Sequence, residues 1–77
     1  MKESISANDL SHVIKAHMDI LDYTLPSHAV TRYLERVTKK RVTFAALVLA
    51  MLRAGFAAVP TNTSIRFLPV NRIPTSH

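Results

Sequence analysis

The side chains in this 77-residue chain whose types could carry acid–base, nucleophilic or metal chemistry are four histidines, five carboxylates and a scatter of serines. His12 and His17 stand five apart, so one helix does not place both on a single face as i and i+4 would. His28 and His77 are remote in sequence, and there is no cysteine to complete a zinc site. Nucleophilic catalysis needs a hydroxyl held against a base that a third group orients, and no spacing here fixes such a set. The single glycine rules out a phosphate-cradling loop. A chain this short also has little room for a pocket of several hundred Å³. The expectation is a non-enzymatic protein with no catalytic residue, cofactor or metal.

Charge offers a different chemistry. The net charge is +5 and unevenly spread. Residues 1–25 hold Lys2 and Lys15 against Glu3, Asp9, Asp19 and Asp22, a sum of −2; residues 26–77 hold eight basic residues against Glu35 alone, a sum of +7. A basic half suits an anionic partner such as nucleic acid. Arg32, Arg36, Lys39, Lys40, Arg41 and Arg66 are the candidate phosphate contacts. A solvated basic face that keeps the protein in solution is the plainer reading of the same residues.

Three helices and a hairpin are expected to position these side chains. Ser6 reads as an N-cap with Asp9 three residues on. Leu10, Val13, Ile14, His17, Met18 and Leu21 follow at helical spacing, which predicts a first helix over 7–23 after a frayed 1–5. Leu25-Pro26-Ser27 interrupts the chain, and Ser27 can cap the next helix. That helix buries Val30, Tyr33, Leu34 and Val37. Its wet face pairs Glu35 with Lys39, and Lys39, Lys40 and Arg41 follow where the helix dipole favours cations. A third helix is predicted over 44–54, capped by Thr43, stapled by Val42 and Leu47, and ended by Gly55 in left-handed backbone. Residues 56–59 and 64–68 read as a hairpin around Pro60-Thr61-Asn62-Thr63. The fold class is mainly α with a small C-terminal β-hairpin. Residues 1–70 form one domain and 71–77 an extended tail.

The third helix is the anomaly. TFAALVLAMLRAGF has no polar side chain between Thr43 and Arg53. At 1.5 Å per residue the helix spans roughly 16 Å, short of the roughly 30 Å hydrocarbon core of a bilayer, so no membrane crossing is expected. A helix apolar all round is either buried all round or covered by a partner. Phe44, Leu47, Val48, Leu49, Met51 and Leu52 point in most directions around the axis, more than two amphipathic helices and a hairpin can cover. These six are the candidate protein interface, in a homodimer or a hetero-complex.

From residue 29 the order is helix, basic turn, helix, glycine, hairpin. The stretch AVTRYLERVTKKRVTFAALVLAMLRAGFAAVPTNTSIRFLPV resembles the second half of a winged-helix domain, with LRAGF and SIRFL at the join of recognition helix and wing. The resemblance implies a recognition helix lying in the major groove, yet base readout needs hydrogen-bonding side chains that this helix lacks. Small, basic, cysteine-free chains of this kind also look like the accessory regulators of prophages, among them antirepressors, which bind a DNA-binding repressor. Two expectations follow: a cytoplasmic regulator that binds a protein, such as a transcriptional repressor, through an apolar helix, or a winged-helix-like regulator of transcription that holds DNA by its phosphates.

Overall fold

The computed structural model describes residues 3–21 and 25–70. Helix α1 (Ala7–Ala16) opens where Ser6 Oγ accepts the Asp9 N–H at 3.1 Å. It buries Leu10 and Ile14. Ser11 is buried too, its hydroxyl donating to the Asn8 carbonyl at 2.7 Å. The expected helix over 7–23 is interrupted. His17 leaves helical geometry (φ −117°, ψ 27°), and a separate turn, α2 (Met18–Leu21), follows. The His17 N–H donates to the Ile14 carbonyl, and the His17 carbonyl accepts from Ile20 and Leu21. The break therefore leaves no orphaned backbone group at His17. Its ring meets Tyr33 edge-on, centroids 5.7 Å apart, with Nδ1 2.9 Å from Tyr33 Oη. A periodicity reading carries the helix through because Met18 and Leu21 keep the apolar spacing.

Two further departures concern the chain before and after this break. Of the segment expected to fray, residues 3–5 are pinned: Ser4 bridges Arg41 in parallel, the Ile5 N–H donates to the Arg41 carbonyl at 3.0 Å, and the Arg41 N–H donates to the Glu3 carbonyl at 2.7 Å. Leu25-Pro26, read as an interruption, is a short strand, β1 (Leu25–Pro26), at the edge of the sheet, a place that tolerates proline.

Helix α3 (Ser27–Thr38) buries Val30 and Leu34. Ser27 is its first helical residue; the cap position belongs to Pro26, without a side-chain hydrogen bond. Val37, expected on the buried stripe, is exposed. The Glu35 side chain, expected to pair with Lys39, accepts the Val42 N–H on Oε2 at 3.0 Å. The helix ends on Lys39 in left-handed backbone (φ 57°), while Thr38 Oγ1 donates to the Leu34 carbonyl and accepts from the Lys40 N–H.

Helix α4 (Phe44–Arg53) follows, then β2 (Phe56–Pro60) and β3 (Ile65–Pro69). Gly55 turns the chain between them at φ +96°, which glycine adopts at little cost. The hairpin register pairs Phe56 with Pro69 and Ala58 with Phe67, placing Phe56, Ala58, Phe67 and Pro69 on one sheet face. Thr61 closes the turn through Ser64. The sheet is antiparallel in the order β1-β3-β2.

Among the described residues the protein is thus mixed, with four helices and a three-stranded antiparallel sheet, where three helices and a hairpin were expected. One core runs through it: Leu10 and Ile14 of α1, Leu21 of α2, Val30 and Leu34 of α3, Leu47, Ala50 and Met51 of α4, and Phe56 and Phe67 of the sheet. Ile5 and Val42 join it from the segments between. No helix among the described residues is long and apolar enough to cross a membrane. The tail expected over 71–77 lies outside the described residues.

Candidate protein-binding face

The orientation of α4 is fixed at both ends. At its start Thr43 Oγ1 accepts the Ala46 N–H at 3.2 Å, and the Thr43 carbonyl accepts from Leu47 at 2.9 Å. The preceding turn is held on one side by Glu35 through Val42 and on the other by the Glu3–Ile5 segment through Arg41. At its end the Ala54 N–H returns to Ala50, the Gly55 N–H to Leu52, and the Gly55 carbonyl accepts from Val70 at 2.8 Å, tying the helix end to the residue that follows β3. With α1 and β2 packed against it, α4 keeps one rotation about its axis.

That rotation divides the six candidate interface residues. Leu47 and Met51 are 0% and 1% exposed, members of the protein's own core, so they are withdrawn from the candidate surface. Phe44, Leu49 and Leu52 are 56%, 45% and 49% exposed, and Val48 is half-buried. Ala45 and Arg53, absent from the expected set, are exposed beside them. At 3.6 residues per turn, Phe44, Ala45, Val48, Leu49, Leu52 and Arg53 occupy roughly half of the helix circumference. The opposite half holds Ala46, Leu47, Ala50 and Met51. A helical wheel gives this division once a single core-facing residue is known. Composition could not supply that residue, because both halves are apolar.

Chemically the outer half is simple. No side chain between Thr43 and Arg53 can donate or accept a hydrogen bond, so it can neither read a base edge nor move a proton. It can bury apolar area. Fully burying a Leu or Phe is worth about 1.5–3 kcal/mol, so each half-exposed side chain leaves about 1 kcal/mol unrealised in the isolated chain.

The six basic candidates lie elsewhere. Arg32 and Arg36 are exposed on α3, with Lys39 at i+7 from Arg32. Lys40 is half-buried and Arg41 exposed in the turn before α4, and Arg66 is exposed on β3, paired with Val59 of β2 and Pro26 of β1. The first five form a row leading into one turn; Arg66 is on the sheet.

Other sites carry less. An open depression of about 360 Å³, wider than the chain length led us to expect, is lined by Met18, Ala54, Gly55, Pro69 and Val70, and none of these side chains titrates. Among the described residues no three His, Cys, Asp or Glu are grouped to hold a metal ion. Compared with known protein families, characterised proteins and solved structures, the chain matches none.

Proposed function

We propose that this chain is a non-enzymatic regulatory protein that acts by binding another protein through the outer face of α4, and that its partner is of the DNA-binding repressor class, which would make it an antirepressor. The observation that carries the binding reading is the half-exposed stripe of Phe44, Val48, Leu49 and Leu52 on a helix whose orientation is fixed. Contiguous apolar surface of this kind is often functional. The repressor-class partner rests on the likeness to prophage accessory regulators. A winged-helix arrangement is part of the same reading. It is supported by the α3–turn–α4 pair, the β2–β3 hairpin after Gly55 and the added strand β1 beside β3. On this reading the helix that reads bases in that family has become a protein-contact helix.

The test is capture from cells with three baits: the wild-type chain, Leu49→Asp, and Lys39→Ala/Lys40→Ala/Arg41→Ala. A DNA-binding protein retained by the first and third and lost from the second is the expected result. Loss from the third alone would overturn the reading. The row of Arg32, Arg36 and Lys39 favours a second reading, a winged-helix-like regulator gripping phosphates. Fluorescence anisotropy of a random-sequence duplex at two salt concentrations tests it: tight binding that weakens steeply with salt supports phosphate contacts.

A further inference from the structure

The charges around α4 say what kind of protein segment fits its outer face. From Arg36 to His77 the chain contains no acidic residue. Exposed Arg53 stands at the C-terminal end of the apolar stripe, and Lys39, Lys40 and Arg41 fill the turn leading into its N-terminal end. Of the acidic residues among those described, Glu35 is engaged with Val42, Asp9 lies in the first turn of α1, and Asp19 is on α2. Glu3, whose carbonyl accepts from Arg41, offsets only part of the turn's charge.

A second copy of the chain fits this face poorly. Antiparallel pairing of two α4 helices sets Arg53 of each against the Lys39–Arg41 turn of the other, and parallel pairing sets like against like. The area is also small. Half-exposed Phe44, Leu49 and Leu52 with Val48 and Ala45 offer on the order of 300 Å² per protomer, whereas a stable interface buries roughly 1,200–2,000 Å² in total. Two or three turns of a single docked helix suit a stripe about 15 Å long.

We infer that the outer face of α4 takes an amphipathic helix from an acidic partner. Apolar side chains at i, i+3, i+4 and i+7 of that helix pack on Phe44, Val48, Leu49 and Leu52, and carboxylates at its two ends meet Arg41 and Arg53. This rests on the protein-binding reading above and adds the partner's chemistry to it.

The probe is a fluorescein-labelled 14-residue helical peptide with Leu at those four spacings and Glu and Ala elsewhere. Its twin carries Lys in place of each Glu. Anisotropy titration of the full chain is expected to show binding of the acidic peptide that weakens with salt, with the Lys twin at least tenfold weaker. Leu49→Asp abolishes binding, and Leu52→Asn, a milder change, weakens it should Leu49→Asp unfold by circular dichroism. Arg41→Glu/Arg53→Glu reverses the preference between the twins. Equal binding of both twins, still lost in Leu49→Asp, overturns the acidic partner and leaves the protein-binding reading standing. Binding that survives both Leu49→Asp and Leu52→Asn overturns that reading itself. The inference is also overturned by failure of the acidic peptide to bind at millimolar concentration, by Leu49-dependent self-association in sedimentation, or by Leu49-dependent binding to phosphatidylglycerol vesicles.

Discussion

Leu47 and Leu49 are two residues apart on one helix and chemically identical, so truncating each to Ala isolates what their positions do. Leu47 is 0% exposed and Leu49 is 45% exposed. Leu47→Ala removes a fully buried side chain and leaves a cavity, at about 2–5 kcal/mol. Leu49→Ala forfeits only the buried half of a Leu, about 1 kcal/mol, and recovers a few tenths of a kcal/mol through the better helix propensity of Ala. A chain of this length has a total stability of roughly 4–12 kcal/mol, and each kcal/mol moves the midpoint by about 4–8 °C. Thermal melting followed by circular dichroism should therefore show the midpoint lowered by about 8–40 °C for Leu47→Ala and by less than about 8 °C for Leu49→Ala. Equal losses, or a larger loss at Leu49, would mean that α4 presents a different side to the core and that the proposed face is wrong.

Other consequences follow from the turns. Gly55→Ala meets no atom within 4 Å, so its cost is conformational alone, about 1–2 kcal/mol from holding Ala at φ +96°, readable by urea unfolding. Lys39→Gly relieves a left-handed lysine at φ 57° and should leave stability unchanged or raise it by up to about 1 kcal/mol in the same assay. Thr43→Ala removes the cap on Ala46 and should cost about 1 kcal/mol, with Thr43→Ser restoring most of it. Glu35→Ala strips the Val42 N–H of its acceptor and should cost about 1–2 kcal/mol, with faster amide exchange at Val42 as its local signature.

The elements with strong local signals were legible in the sequence. Ser6 and Thr43 cap as their residue types predict, and Gly55 turns the chain as a helix-ending glycine should. The alternation of Ile65 and Phe67 marked a real strand, which lies one residue later than the expected 64–68, over Ile65–Pro69. Three of the misses share one cause: partners distant in sequence. Leu25-Pro26 becomes a strand because β3 offers an edge, and residues 3–5 are held because Arg41 offers its backbone. His17 departs from the helix beside a tyrosine sixteen positions away. The candidate face was half legible. An all-apolar helix announces surplus apolar surface but not which half of it the core consumes, so Leu47 and Met51 were grouped with residues that point away from them.

The chain has no cysteine, so single replacements give a clean accessibility probe. Leu49→Cys on α4 and Arg36→Cys on α3 would be labelled with a maleimide, first in dilute purified protein and then inside the native host cell. A protein partner on the outer face of α4 predicts that both sites react in purified protein, and that Leu49→Cys alone is protected in the cell. Protection of Arg36→Cys with Leu49→Cys still reactive would contradict it and place the contact on the basic row instead.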